Sequence, residues 1–313
     1  MGMAMSLNRP KLLFSVIVPC RDHLKELSGC LAALGHQDIA EKYEIIVVDS
    51  GTSDEMLRLI KPLSFVRLVR SSGPLNVAQA KNLGAAEARG DLLAFTDADC
   101  RPMSGWLAAA GAAMAGGARL VGGPVLDTNP LQLVSVADNL LQFVDQAPGR
   151  PAGAAWYLPG CNLALERTLF RELSGFKEHL MRGSDSDFTM SVASQWPTAV
   201  RFCPKMKVRH QGRTTLRLLC RHHYDFGYYR CFFGLKLSPR RQCQGRQLRV
   251  TLAWSAKRLI YIIGRTLQWY PAAIWKILLL GPLLVLGLLA WACGCQRGCI
   301  AAAQSVSDIR ATN

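Results

Sequence analysis

Asp97 and Asp99 stand two residues apart at the tip of an apolar run, LLAFTDADC over residues 92–100. Successive side chains of a strand alternate faces, so an extended chain turns both carboxylates to the same side. Two like charges that close raise each other's cost, and a buried carboxylate without a partner is expensive. A cation belongs with them, and a divalent metal bridging to a phosphate suits an oxygen pair. A second pair, Asp185 and Asp187 in RGSDSDF, opens a segment that Ser184 or Asp185 would cap as a helix. Carboxylates in two separate places fit a reaction that neutralises a departing phosphate and deprotonates a hydroxyl. Asp49 ends the apolar run YEIIVVD and can hydrogen-bond a ribose or base edge, and Lys81 is a point charge suited to phosphate. Each has a plainer use. Asp49 and Asp54 suit helix caps, Lys81 a solvated helix face, and His210, beside Arg209 and Arg213, a basic surface. His222 and His223 fall in no motif.

The elements that must position these residues alternate over the first hundred positions. Strand signals at 12–19, 43–49, 64–70 and 92–100 are separated by helical ones at 23–37, 55–60 and 76–90. Short, continuously apolar strands with intervening helices predict a parallel sheet covered on both faces. Ligands of such sheets sit at the carboxyl ends of the strands, and the polar tips PCRD, DSGTSD and TDADC all lie there. Further strands are expected at 118–127 and as a pair over 199–212 broken at Pro204, with helices over 130–146 and after 162. KLLFSVIVP (11–19) reads as a strand stopped by Pro19, not as a signal peptide.

The chain of 313 residues is 50% apolar and carries a formal charge of +15. Between Arg201 and Tyr270 stand 16 Lys and Arg against one acid, Asp225, while the rest balances at 21 of each sign. Charge so confined argues against a nucleic-acid binder and for a membrane surface. Within that stretch, residues 248–270 place Leu252, Leu259, Ile263 and Leu267 near one helical face, with Arg and Lys off it, as an interfacial helix would. Residues 272–293 are long and apolar enough to cross a bilayer, and the basic stretch before them puts the main domain on the cytoplasmic side of an inner membrane. The 11 cysteines lie mostly in apolar runs without paired C-x-x-C spacing, as reduced thiols do, and Cys293, Cys295 and Cys299 read as membrane-edge residues.

The ordered motifs SVIVPCRD, EIIVVDSGTSD, AQAKNLGAAEARGDLLAFTDADC, LPGCNLALERTLFRELSGFKE and GSDSDF, over about residues 14–212, resemble the family 2 glycosyltransferases. The resemblance implies an α/β fold of GT-A type, a nucleotide-binding sheet covered by helices. It implies that Pro19, Cys20, Arg21 and Asp49 line a base and ribose pocket, and that Lys81 stands where the family often has an Arg facing the diphosphate. Asp97 and Asp99 look like the family's DxD motif, Asp97 toward ribose or donor sugar and Asp99 on Mg²⁺ or Mn²⁺. Asn162 and its neighbours look like the acceptor-side segment. Asp185 matches the general base of inverting members, with Asp187 as the other candidate, and His210 resembles a late His near the metal or diphosphate. The implied partners are a nucleotide-sugar donor and a lipid-linked or saccharide acceptor. Single addition is expected, because a Q-x-x-R-W motif and several more membrane helices, the marks of a processive polymerase, are missing.

On this reading residues 12–215 form the catalytic domain, 12–110 the nucleotide-sugar half and 111–215 the acceptor half. Residues 216–270 form basic juxtamembrane helices, 271–293 a transmembrane helix and 294–313 a tail. One departure stands out: Ser184 occupies the place where the family usually has Glu. A catalytically inactive membrane scaffold is therefore the alternative. A metal-dependent phosphoryl or nucleotidyl enzyme fits less well, since its Asp-x-Asp would open the first strand and this pair ends the fourth.

Overall fold

The computed structural model describes residues 12–311 except 22, 52–53 and 231–246. The first half builds four parallel strands, β1 (Leu12–Cys20), β2 (Lys42–Asp49), β3 (Val66–Arg70) and β4 (Leu92–Thr96), in the order β3-β2-β1-β4. Helices α1 (Leu24–Leu34), α2 (Asp54–Ile60) and α3 (Val77–Glu87) make the crossovers that parallel pairing requires. Val16, Val18, Ile45 and Val47 point to one apolar core, and Ile17, Ile46 and Val48 to a second. A sheet packed on both faces explains strands without a polar alternation. Asn76 and Gln79 close a reciprocal capping box at the start of α3, whose small buried residues Ala78, Ala80 and Ala85 let it lie close on the sheet.

The strands are not all parallel. After β5 (Cys100–Pro102), α4 (Trp106–Ala115), β6 (Leu120–Gly122), β7 (Val125–Asp127), α5 (Leu133–Phe143) and β8 (Gly153–Ala154) comes β9 (Asn162–Glu166). β9 runs antiparallel between β4 and β6, and the large sheet has the order β3-β2-β1-β4-β9-β6-β10-β8. Loop 155–161 leads from β8, at the edge of the sheet beyond β10, back into β9. α6 (Arg167–Glu172) and α7 (Ser184–Gln195) follow. β10 (Val200–Phe202) and β11 (Val208–His210) are not the strand pair expected of 199–212. β10 joins the large sheet, whereas β11 pairs with β5 and β7 in a separate three-stranded sheet. The turn at 203–207, anchored by Cys203 N–H on the Gly122 carbonyl, carries the chain from one sheet to the other.

Three helices complete the described chain: α8 (Leu216–Arg230), α9 (Gln247–Trp269) and α10 (Ile274–Ala311). The basic segment 231–246 lies outside the described residues. α10 does not stop at Cys293 but runs on through Gly294 to Ala311, into the expected tail. Residues Pro271–Ala302 are long and apolar enough to cross a membrane, with 44% of the most apolar window buried in the protein. Its inward side joins Ile277, Leu280, Leu284 and Leu288 to Val136 and Leu141 of α5, Leu219 of α8 and Ile262 of α9. Its outward side shows Trp275, Leu278, Leu279, Val285 and Leu289. The packed face of α9 is Ser255, Ile262 and Thr266 with Leu259 and Ile263 of the expected stripe, while Leu252 and Leu267 are exposed beside Trp254 and Ile260.

α8 and α10 touch backbone to backbone. A Cβ on Gly227 would run into the Trp291 carbonyl, and Cβ atoms on Gly294 and Gly298 would run into the carbonyls of Tyr224 and Tyr228. Small residues at such a crossing permit the close approach that holds helices together in a lipid environment.

Candidate active site

At the carboxyl end of β4 the chain does not stay extended. Cys100 N–H donates to the Asp97 carbonyl at 3.0 Å, and the turn sends the two aspartates to different partners. Asp97 meets Lys81, whose Nζ lies 2.8 Å from Asp97 Oδ1 and donates to the Gly160 carbonyl at 2.7 Å. Lys81 is 3% exposed. Burial by itself would lower the pKa of its ammonium, but Asp97 and then Asp185 outweigh it and hold that pKa above the ordinary lysine value. On its other side Gly160 donates its N–H to Asp185 Oδ2 at 2.7 Å, while Ser186 N–H donates to Asp185 Oδ1 at 2.8 Å. Asp185 stands in the first turn of α7, where the helix dipole favours a carboxylate.

Asp99 is placed by the small sheet. In the β11–β5 ladder His210 is the partner of Cys100, which brings its ring beside Asp99. His210 Nε2 lies 3.7 Å from Asp99 Oδ2, and Arg213 Nη1 lies 3.5 Å from the same oxygen. The other ring nitrogen, Nδ1, is 2.7 Å from Asn139 Oδ1. Asn139 Nδ2 faces two acceptors, Asp127 Oδ1 at 2.8 Å and the His210 carbonyl at 3.3 Å, so its amide orientation is fixed. Nδ1–H must then donate to Oδ1, and Nε2 is the ring nitrogen that faces Asp99.

Candidate ligand atoms of Asp99, Cys100 and His210 lie within 4.8 Å of one another. Burial pushes the Cys100 thiol well above its ordinary pKa, with Cys161, Asp99 and Asp97 adding to it, so sulfur stays protonated and is a poor ligand. What remains is a hard oxygen and nitrogen set, which fits Mg²⁺ or Mn²⁺.

Lys81, Asp97, Asp99, Asp185 and His210 line one cavity of about 470 Å³. The remaining expected residues do not line it. Pro19 and Cys20 pair with Val48 and Asp49 at the carboxyl ends of β1 and β2, with Arg21 exposed just beyond. Asp49 is 2% exposed; its Oδ1 accepts the Gly51 N–H, and its buried Oδ2, 3.4 Å from Arg70 Nε, accepts no hydrogen bond among the described residues. Asn162 is fully buried and wholly used by the scaffold: its Oδ1 accepts Trp106 Nε1–H and its Nδ2 donates to the Pro124 and Met206 carbonyls. The acceptor-side expectation passes from Asn162 itself to its neighbours Pro159 and Cys161, which do line the cavity. Asp187 is tied to Lys177 at 2.8 Å, away from the cavity.

Three contributors escaped the sequence. Gly160 acts through its backbone, which leaves no side-chain signal. Asn139 is one of three polar residues, with Ser135 and Asp138, buried in α5, and a polar pair within an apolar helical pattern was the legible clue. Arg213 was visible only as basic surface.

Residues 15–140 match the family model for glycosyl transferase family 2. Over 181 residues the chain is 27% identical to the glycosyltransferase AglE of Haloferax volcanii, covering 56% of this chain and 59% of that one. Over 236 residues it is 25% identical to the pre-mycofactocin glycosyltransferase of Mycobacterium tuberculosis, covering 72% and 47%. The chain thus spans about half the length of these curated relatives. Among solved structures it resembles the mannosyltransferase PcManGT from Pyrobaculum calidifontis, in complex with GDP-Man and Mn²⁺, with a TM-score of 0.57, 20% identity and coverage of 94% and 86%. The family match falls on the part of the chain that carries β1 to β4 and the Asp97–Asp99 turn, and the chain has a GT-A-like fold.

Proposed function

We propose that the protein transfers one sugar from a nucleoside diphosphate to a hydroxyl of a lipid-linked or saccharide acceptor, with inversion at the anomeric carbon. The observation that carries this reading is the single cavity in which Lys81, Asp97, Asp99 and His210 meet Asp185 across Gly160. Asp99 and His210, with Asp97 adjacent, would hold Mg²⁺ or Mn²⁺. A bound ion would supply Lewis-acid neutralisation of the leaving diphosphate. The presence of GDP-Man and Mn²⁺ together in PcManGT supports that assignment.

The chain's own residues divide the work. Lys81 places a buried positive charge beside Asp97, and Arg213 places another beside Asp99. The Oδ2 of Asp49, which accepts no hydrogen bond among the described residues, suits a ribose hydroxyl or a base N–H, with Pro19, Cys20 and Arg21 alongside. Asp185 has one backbone N–H on each oxygen and keeps lone pairs for the acceptor proton. As the acceptor oxygen bonds to the anomeric carbon, the bond from that carbon to the diphosphate breaks; the proton passes to Asp185 and the nucleoside diphosphate leaves. Ser184 lines the cavity next to Asp185, in place of the family's usual Glu. The apolar length of Pro271–Ala302 and the basic residues before it support an inner-membrane location with the catalytic domain toward the cytoplasm.

The test is nucleoside diphosphate release by detergent-held protein offered UDP-, GDP- and dTDP-sugars with Mg²⁺ or Mn²⁺, with and without total lipid extract. Release is expected to need the metal, one donor, Asp99 and Asp185. Undiminished turnover in Asp99→Ala would remove the reading.

A further inference from the structure

The cavity extends past the aspartates to a wall of helices that the transfer chemistry does not require. Arg230, at the end of α8, and Arg258, in α9, approach the same ring, Trp291 of α10, at 5.7 and 5.5 Å. All three line the cavity. Neither guanidinium has a carboxylate within ion-pair distance among the described residues. The nearby Asp145 is taken by Tyr261, whose hydroxyl donates to it at 2.5 Å, and by Arg265 at 3.4 Å. Arg258 spends one N–H on the Leu141 carbonyl at 2.7 Å. Burial, and after it the charge of Arg230, hold Arg258 below the ordinary arginine pKa, with Tyr157 opposing.

From Phe226 to Ser307 the sequence contains no Asp or Glu, so the segment joining α8 to α9 brings no carboxylate either. Two guanidinium groups that converge on one ring, Arg258 half-buried and Arg230 exposed, are stabilised when an anion joins them. Their planar forks suit phosphate oxygens. A second observation points the same way. His222, 7% exposed, lines the cavity with an Nε2 that has no hydrogen-bond partner among the described residues. The surfaces beyond are apolar: Ile262 and Phe226 inside the cavity, and Trp254, Ile260, Leu278 and Leu279 outside it.

We propose that this half of the cavity is the acceptor site and takes a phosphate-bearing amphiphile, its phosphate held by Arg230 and Arg258 at Trp291 and its apolar chain against α9 and α10. The proposal rests on the transfer reading above and names the acceptor class for it. The acceptor's hydroxyl would lie toward Asp185, and its phosphate would supply the anion that the helices lack.

The full chain in neutral detergent is titrated with dioctanoylphosphatidate, with dioctanoylglycerol, which lacks the phosphate, and with inorganic phosphate. Binding of UDP and GDP with Mn²⁺ is measured alongside. Phosphatidate is expected to bind at least tenfold tighter than either control. Arg230→Gln/Arg258→Gln should lose that margin and keep nucleotide binding. Because Arg258 also holds the Leu141 carbonyl, two milder variants guard against misfolding. Arg230→Gln alone, at an exposed position, should weaken phosphatidate at least threefold, and Arg258→Lys should lose less than Arg258→Gln. Equal binding of dioctanoylglycerol, or unchanged phosphatidate binding in the double variant, overturns the proposal. Inorganic phosphate binding as tightly as phosphatidate overturns it too, by making the site one for a free anion. Wild type that binds phosphatidate through both arginines but binds no nucleotide leaves this site standing and removes the transfer reading alone.

Discussion

Lys81 and Asp185 are held by opposite sides of one residue. The Gly160 carbonyl accepts from Lys81 Nζ at 2.7 Å, and the Gly160 N–H donates to Asp185 Oδ2 at 2.7 Å. A cation beside the DxD turn and a carboxylate on α7 are thereby fixed relative to each other by a single residue's backbone. A Cβ at this position would meet Lys81 Nζ at 2.9 Å and Asp185 Cβ at 3.0 Å. Gly160→Ala is expected to lower kcat about 10²-fold, the scale of a misplacement near 1 Å, while the melting temperature changes little. Steady-state kinetics beside a thermal melt checks this.

The two carboxylates of α7 should separate cleanly. Asp185 lines the cavity, whereas Asp187 is spent on Lys177. Asp185→Asn is expected to cost 10²- to 10⁴-fold in kcat, the usual range for a general base, and Asp187→Asn less than about threefold. Equal losses in the two variants would reverse the assignment.

Asn139 fixes the tautomer and the angle of His210 from behind. Outer partners of this kind typically change metal affinity by about 10- to 100-fold. Asn139→Ala should therefore weaken Mn²⁺ binding on that scale, read by electron paramagnetic resonance of free Mn²⁺ with no donor present. Asn139→Asp, which would turn a carboxylate oxygen on Asp127 and on the His210 carbonyl, should not recover it.

His222 predicts an acid limb. Burial, followed by the charge of Arg213, holds its pKa well below the ordinary value of 6.5, with Asp138 opposing and His223 and Arg182 adding to the depression. In the unfolded chain the ring protonates near pH 6.5, before the folded one does. Stability is thus full above that pH and is lost as pH falls below it, at up to about 1.4 kcal/mol per unit. Asp138, held at about 2 by the His223 hydrogen bond against the effect of burial, stays charged throughout this window. Thermal melts from pH 7.5 to 5 should slope downward for the wild type and less so for His222→Gln.

The glycine crossing of α8 and α10 sets a further limit. Gly227→Leu or Gly294→Leu places a side chain where a carbonyl already stands. Both are expected to lower the melting temperature well beyond Gly264→Leu, a helical glycine of α9 with open space around it. Comparable melts for all three would mean that the helices are not in backbone contact.

The half of the fold that carries β1 to β4 was legible because its strands and helices alternate with clean periods and end in polar tips. β1 to β4 fell where YEIIVVD and LLAFTD placed them. What misled was local extrapolation. DADC looked like a continuing strand, yet the Cys100-to-Asp97 turn parts the two aspartates. Likewise 199–212 looked like a hairpin, because nothing in a short apolar run says which sheet it will join. Asn162 stood inside a real motif but serves the scaffold, since three buried partners claim its amide. The far wall of the cavity was illegible for a different reason. Arg230, Arg258 and Trp291 are distant in sequence, and only the packing of three helices makes them neighbours.

α8 leaves β11 a few residues after His210 and then meets α10 carbonyl against glycine. Lys276, at the other end of the apolar helix, reaches back to within 3.7 Å of Asp127, which in turn holds Asn139 behind His210. An anchor fastened at both ends in this way is a bracket and not a leash. With α10 in a bilayer, the reaction centre would stand at one altitude above the lipid, and a hydroxyl presented higher or lower would go unmodified whatever its chemistry. Selection among acceptors would then be partly a matter of stature.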